Sequence, residues 1–268
     1  MGGVSRISRG WRLTKVSLSI VRQDAALTGL ALLGLVVAVL LAAIPLIGAA
    51  FALGGDQNVI GWILLAVTVF AAYFALTFFG VAIVFAANDV VQGKDATVGS
   101  ACGAAMGRLG PIVGWAIVGT VVNLLLSALR DRGGIAGAIL AGLGGAAWSL
   151  ISFLAVPVIA FEGLGPFATL KRSASLFRER WGEQVTGTVS IGLVFFLASL
   201  PALGLVVVGL MVGGVFGAVL AVIGVLGALA LGVVSRAASA TFGAMLYRYA
   251  TTGESGPFPE AELAGIAR

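Results

Sequence analysis

Residues that carry catalytic chemistry in most enzymes are scarce in this sequence, and their spacing does not assemble an active site. There is no histidine, and Cys102 is the only cysteine, which excludes imidazole catalysis, disulfides and thiolate metal sites within one chain. The acidic residues stand singly at the ends of apolar runs or in loops. The glycine-rich segment 142–145 lacks the following Lys-Ser/Thr pair of a phosphate-binding loop. We therefore expect no enzymatic activity, no metal and no cofactor.

Glu162 is one of two ionisable residues whose position suggests a specific role. It closes an apolar run and precedes the helix-breaking segment 163–166. In a structural interpretation, its carboxylate caps a helix or pairs with Lys171 or Arg172 at the membrane surface. In a functional interpretation, it acts as a gate or contacts a lipid headgroup.

Arg236 is the second such residue, and its role depends on where the last helix ends. A helix that continues to Arg248 would place Arg236 about 18 Å inside that end, at 1.5 Å per residue. An arginine buried in a bilayer is by default a candidate functional residue. A span that ends near Val234 would instead leave Arg236 at the interface, where its side chain reaches the headgroups. The nearby hydroxyl residues Ser235, Ser239 and Thr241 favour the interfacial position, and both alternatives stay open.

Composition indicates which solvent surrounds the chain. Hydrophobic residues make up 60% and charged residues 10% of the 268 residues, against about 45–50% and 25% in typical soluble domains. A soluble protein could not bury so much apolar surface, and we predict an all-α integral membrane protein. The first apolar run is too long for a cleaved signal peptide. Six transmembrane helices are predicted at about 28–53, 59–87, 111–129, 135–160, 185–208 and 211–235, before a polar tail at 251–268.

The net charge of +5 is concentrated near the N-terminus and in the segment 171–180. Because these segments flank apolar spans, topology and anionic lipid explain the basic charge better than nucleic acid does. Six spans place both termini on one side, and the positive-inside rule makes that side the cytoplasm. We predict a multi-pass protein of the prokaryotic inner membrane whose partners are anionic lipid headgroups.

Two segments have the pattern of amphipathic helices that lie in the membrane plane. In the central one, Phe167, Leu170, Ala174, Phe177 and Trp181 form an apolar stripe opposite basic residues. The second covers residues 1–26. The alternative for the central segment is a connector packed on the protein itself, and the two interpretations are compatible. The candidate headgroup contacts are Lys171, Arg172, Arg178, Arg180 and Trp181, together with Arg9, Trp11 and Lys15.

A weak internal repeat relates these segments. Lys15-Val-Ser17 parallels Lys171-Arg-Ser173, each ahead of a pair of apolar spans, and the segment 95–108 holds the equivalent place between them. The chain is therefore interpreted as three parallel units, each a surface helix followed by two spans, packed about a pseudo-threefold axis.

Glycines spaced four residues apart predict close helix packing. They are Gly99, Gly103 and Gly107 between the second and third spans, and Gly209, Gly213 and Gly217 in the last pair. Packing within one chain is the main interpretation, and a homo-oligomer interface is the alternative.

Two sequence blocks carry a resemblance to known families. They are Phe161-Glu-Gly-Leu-Gly-Pro-Phe-Ala-Thr-Leu-Lys-Arg-Ser173, with a later Trp181, and Leu246-Tyr-Arg-Tyr-Ala-Thr-Thr-Gly253. They resemble an uncharacterised family of six-pass prokaryotic membrane proteins. The first block is more distantly similar to the membrane domain attached to some bacterial glycerophosphodiester phosphodiesterases, whose soluble catalytic domain has no counterpart in these residues. The resemblance supports six spans and implies no activity.

Two functions from different classes are consistent with these features. The first is a non-enzymatic module that organises the membrane or handles lipid through its basic surface helices. The scarcity of ionisable residues within the spans favours it, since ion-coupled transporters usually need such residues. The alternative is a channel or transporter whose path is lined by Arg236, Asn123 and the ends of the spans.

Overall fold

The computed structural model describes residues 16–22, 24–55, 58–181 and 186–253, with side chains except at 177, 179–181 and 186–194. The predicted contacts Arg9, Trp11 and Lys15 and the tail from 254 lie outside these residues, as do the side chains of Arg180 and Trp181. All regular structure in the described residues is helical, which confirms the all-α fold. After a helical stretch at 16–22, the helices are α1 (Ala25–Leu53), α2 (Asn58–Val91), α3 (Val98–Met106), α4 (Leu109–Arg132), α5 (Gly134–Ile151), α6 (Ala155–Glu162), α7 (Pro166–Trp181), α8 (Thr186–Val212) and α9 (Gly214–Thr252).

Six helical segments are long and apolar enough to cross a membrane: α1, α2, α4, α5 with α6, α8 and α9. Large apolar side chains stand exposed on them, including Phe51 at 80%, Ile135 at 84% and Val215 at 85%. Leaving one such side chain in water rather than burying it costs about 1.5–3 kcal/mol, so this surface requires lipid. The predicted six-span fold is confirmed.

The spans form three antiparallel hairpins, α1–α2, α4–α5 and α8–α9. Each hairpin follows a shorter helix, namely residues 16–22, α3 or α7, in the order that the repeat predicts. α2 packs on α1, α4 and α9, whereas α5 packs chiefly on α4 and α7, and α8 chiefly on α9. The hairpin α8–α9 therefore joins the bundle through α9.

The two ends of the bundle differ in packing. The largest core cluster gathers residues from the half in which α2, α6 and α9 end, at Val91, Glu162 and Thr252; we call this the polar end. The opposite end, where the hairpins turn, is the turn end. In this half α5, α8 and α9 carry mostly exposed apolar residues. The hairpins are thus tied together at one end and separate toward the other.

Several helix ends differ from those predicted. The fourth span is interrupted at 152–154, between α5 and α6, and α9 continues to Thr252 rather than ending near 235. The predicted surface helix of residues 1–26 does not reach its expected end, because the Asp24 carboxylate accepts a hydrogen bond from Ala26 N at 2.7 Å and caps α1. The described part of that surface helix is 16–22.

The two predicted glycine rows differ in what packs on them. A Cβ at Gly209 would lie 2.5 Å from Gly217 O, so these two glycines do form the close α8–α9 crossing. Gly213 instead makes the turn between the helices, with φ of +67°. Gly99 and Gly103 are exposed, and a Cβ at either would meet nothing within 4 Å; Gly107 ends α3. Within the described residues, nothing packs on Gly99 or Gly103, so the predicted row on α3 stays a prediction.

Gly209→Ala should destabilise the protein, because its methyl group would meet the backbone atoms Gly217 O and Ala221 N at 2.5 and 2.6 Å. The expected loss is about 1–3 kcal/mol, typical of overpacking. Gly103→Ala is the matched control, since it removes the same hydrogen in a helix and meets no neighbour. The measurement is unfolding of the detergent-solubilised protein by heat or by sodium dodecyl sulfate. Equal stability of the two variants would contradict the close crossing.

Candidate functional site

Glu162 is the point at which three helices meet. It is the last residue of α6, and its Oε1 atom accepts hydrogen bonds from Arg172 Nε of α7 at 2.8 Å and from Tyr247 Oη of α9 at 2.7 Å. The Phe161 ring stacks on the Tyr247 ring at a centroid distance of 5.2 Å. The pairing of Glu162 with Arg172 agrees with the structural interpretation of this residue, in which its carboxylate pairs with Lys171 or Arg172. We call Glu162, Arg172 and Tyr247 the Glu162 cluster.

The turn from α6 into α7 requires glycine at position 163. Gly163 has φ of +64° and ends α6 by donating its N–H to Val158 O and Ile159 O. The Arg108 guanidinium occupies the space that a Cβ of Gly163 would need, and Arg108 Nε donates to Ala160 O at 3.0 Å. Arg108 therefore ties the start of α4 to the end of α6. No pattern in the sequence predicts this contact.

Buried hydroxyl groups hold α7 against the protein. Thr169 Oγ1 donates to Leu164 O at 2.9 Å. Ser173 Oγ donates to Ile151 O at 2.5 Å and accepts from Leu154 N at 3.2 Å. The Ser173 bonds satisfy backbone groups at the break between α5 and α6, and the Thr169 bond satisfies a carbonyl in the turn between α6 and α7; these groups would otherwise be unpaired in the interior. Thr169 and Ser173 are fully buried.

The side of α7 that faces the protein is therefore not the predicted apolar stripe. The buried residues are Thr169, Ser173 and Leu176, whereas Phe167, the first residue of the stripe, is 77% exposed. Lys171 and Arg178 are exposed as well. The connector interpretation is correct in that α7 packs on α4, α5 and α6, and an exposed aromatic and basic surface remains on its other sides.

The height of α7 along the bundle follows from its contact with the α5–α6 break. Gly80 of α2 lies about 33 Å from Asn58 at the turn end, at 1.5 Å per residue. Val156 packs on Gly80, since a Cβ there would be 3.3 Å from Val156 Cγ1. Leu154, which Ser173 contacts, precedes Val156 by two residues. Ser173 therefore lies about 30 Å from the turn end.

The first turn of α7, which packs on α4, lies at the same height along the bundle as Ser173. The Tyr73 ring packs on Gly119 of α4, and Pro166 of α7 packs on Gly114, at 3.0 Å from a Cβ placed there. Gly114 lies five residues nearer the polar end than Gly119, which again gives about 30 Å. Since both contacts have one height, α7 crosses the bundle rather than following its axis.

Arg236 lies inside α9, which does not end near Val234 but continues to Thr252. Arg236 Nη2 donates to Leu76 O of α2. Twelve residues further on, Arg248 Nη1 donates to Asn88 Oδ1 at 2.8 Å. The two partners on α2, Leu76 and Asn88, are also twelve residues apart. The helices α2 and α9 therefore run parallel in a fixed register.

A cleft of about 440 Å³ opens beside Arg236, between α2, α9 and the start of α6. Its polar lining residues are Ser235, Arg236 and Ser239. Asn123, which the transport hypothesis grouped with Arg236, is exposed on α4 and does not line this cleft. In the described parts of the chain, no three His, Cys, Asp or Glu side chains lie close enough together to hold a metal ion.

Six apolar spans in three hairpins, tied by a polar cluster at one end, define a polytopic, all-helical integral membrane protein. The sequence model of a family of unknown function, DUF6159, matches residues 59–258 of the 268-residue chain. The chain therefore belongs to the DUF6159 family. No curated protein and no solved structure matches it. The matched residues include α2, except for its first residue, and all of α3 to α9, and with them the Glu162 cluster.

Gly163→Ala should destabilise the protein because alanine pays about 1–2 kcal/mol for the left-handed conformation and its methyl group collides with Arg108. Gly165→Ala, two residues on in the same turn, is the matched control: a Cβ there meets nothing within 4 Å. Thermal unfolding in detergent measures both variants. Equal effects at 163 and 165 would contradict the described turn.

A double-mutant cycle should rank the two contacts of Glu162. Tyr247 is 7% exposed, and its bond to a carboxylate should couple by about 1.5–3 kcal/mol. Arg172 has a side chain 38% exposed, so solvent should hold its coupling to about 1 kcal/mol or less. Glu162→Ala is combined with Tyr247→Phe and separately with Arg172→Gln. A larger coupling to Arg172 than to Tyr247 would contradict this ranking.

Proposed function

We propose that this protein is a non-enzymatic membrane module that binds anionic lipid through α7 and thereby organises lipid around the bundle. The observation that carries the proposal is the position of α7, which crosses the bundle about 30 Å from the turn end. The hydrocarbon core of a bilayer is also about 30 Å thick. A membrane that begins at the turn end therefore meets the headgroup layer at α7.

The exposed residues of α7 suit that layer. Phe167 is 77% exposed, and an exposed aromatic ring beside exposed Lys171 is typical of an interfacial helix. Each basic side chain near an anionic surface contributes about 1 kcal/mol. Because Thr169 and Ser173 fix α7 through hydrogen bonds to Leu164 and Ile151, the basic groups are held in place before lipid binds, which lowers the entropic cost of binding.

The charge distribution supports a cytoplasmic location for the polar end and the inner membrane as its site. Lys94, Lys171 and Arg178 lie at or near this end. At the turn end, Arg130 and Arg132 flank Asp131, which offsets part of their charge. By the positive-inside rule the more basic end faces the cytoplasm. In this proposal both termini lie on that side as well.

Transport is the less supported function. The transport hypothesis needs one path that joins Arg236 and Asn123. The cleft beside Arg236 is lined by α2, α9, α6 and the break between α5 and α6, and Asn123 does not line it.

The test is the amount of anionic lipid retained by the purified protein, measured by mass spectrometry of extracted lipid. Replacing Lys171 and Arg178 together with Gln should lower retained phosphatidylglycerol about thirtyfold, since the two charges together contribute about 2 kcal/mol. Replacing Arg130 and Arg132 with Gln is the matched control, because it removes two exposed arginines at the turn end. Parent-like retention by the α7 variant, or an equal loss in the control, would refute the proposal.

A further inference from the structure

We propose that the cleft beside Arg236 is a specific binding site for a phosphate group borne by an apolar chain, namely the headgroup phosphate of a phospholipid. This site is separate from the exposed surface of α7, and the inference does not rest on α7 binding lipid. It stands on three observations: an arginine with unused donors, a cleft with a polar and an apolar side, and the height of that cleft along the bundle.

Arg236 has more hydrogen-bond capacity than the protein uses. A guanidinium group has five N–H donors, and in the described residues Arg236 makes one hydrogen bond, to Leu76 O. Within the same residues no carboxylate forms an ion pair with it, unlike Arg172, which pairs with Glu162. A cation at the edge of the hydrocarbon layer is costly unless an anion neutralises it, and a phosphate diester accepts two N–H groups of one guanidinium side by side.

The cleft is large enough for a phosphate headgroup, and further polar groups lie beside Arg236. Its volume of about 440 Å³ is in the range of small-molecule sites, about 300–1,000 Å³. Ser235 and Ser239 line it with Arg236, and their hydroxyl groups add hydrogen-bond donors for phosphate oxygens. Gly80 and Gly232 line it as well and leave open the space that larger side chains would fill.

The remaining walls are apolar and lead toward the membrane interior. Phe153, Val156 and Pro157 form the wall opposite α9. Below the cleft, α5 packs chiefly on α4 and α7 while α8 packs chiefly on α9, which leaves exposed apolar residues on both sides. Leu143 of α5 is 64% exposed and Leu226 of α9 is 61% exposed. An acyl chain attached to the bound phosphate would cover this surface.

The height of Arg236 fits a headgroup rather than a solute in the middle of the membrane. Leu76, its partner, lies about 27 Å from Asn58 at the turn end, just below the height of α7. A phosphate bound there lies at the boundary of the hydrocarbon layer, about 30 Å thick, in the same leaflet as α7.

The test is native mass spectrometry of the purified chain titrated with dioleoyl phosphatidylglycerol, and separately with dioleoyl phosphatidylcholine. Arg236→Gln should weaken phosphatidylglycerol binding at least about tenfold, because a charge-assisted pair is lost. Ser239→Trp should weaken binding similarly by filling the cleft from an exposed position, and it decides the matter if Arg236→Gln fails to fold. Arg130→Gln, at the turn end and outside both proposed lipid sites, is the control and should bind this lipid within about twofold of the parent.

The outcomes separate this site from α7. Parent-like binding by Ser239→Trp, or by a folded Arg236→Gln, would overturn the inference about the cleft. The proposed lipid role of α7 would still stand if the double variant Lys171→Gln with Arg178→Gln loses retained lipid. Displacement of phosphatidylglycerol by inorganic phosphate at equal concentration would also overturn it, because the cleft would then recognise a free anion. Loss of binding in both cleft variants, with Arg130→Gln unaffected, is the expected result.

Discussion

The carboxylate of Glu162 holds the polar end together, because one of its oxygen atoms accepts hydrogen bonds from both α7 and α9. Glu162 itself ends α6, directly before the turn into α7. The rest of the arrangement depends on this point. Gly163 reverses the chain there, Arg108 closes the turn from α4, and Ser173 binds the break between α5 and α6. Through these contacts, a helix of 16 residues with a polar buried side is fixed across the bundle. The two sequence blocks that carry the family resemblance meet at this carboxylate.

The bundle has two polar systems at different heights, and their separation explains its form. Glu162 and Tyr247 lie near the polar end, about 16 Å beyond Arg236 along α9, where a carboxylate and an arginine can pair without a large desolvation cost. Arg236 lies near the edge of the apolar belt, where its described partner is a backbone carbonyl. The spans extend past the height of α7, since α2 and α9 continue to Val91 and Thr252. These extensions form the shared core and leave the turn end to the lipid.

The sequence predicted the spans well because the apolar runs are long and the choice between water and lipid is decided by total composition. It predicted the pairing of Glu162 with Arg172 as one alternative, since the two flank a helix break. It could not predict the buried side of α7, because Ser173 packs through a hydrogen bond to a helix break that periodicity does not reveal, and Thr169 packs through a hydrogen bond to the turn before α7. Gly209 and Gly217 form a close crossing, whereas no described atom meets a Cβ at Gly99 or Gly103, because spacing places residues on one face and does not say which partner meets that face.

The central claim is that α7 lies in the membrane plane at the headgroup layer, and the depth of a spin label on α7 tests it most directly. Labels are attached at Phe167→Cys and Arg132→Cys in a Cys102→Ala background, which has no other cysteine, and the protein is placed in lipid bilayers. Accessibility to oxygen and to a water-soluble nickel complex then gives the depth of each label. The account predicts that the label at 167 lies about 5–10 Å below the headgroup surface and that the label at 132 is accessible to nickel. Equal accessibility of both labels to nickel would contradict it.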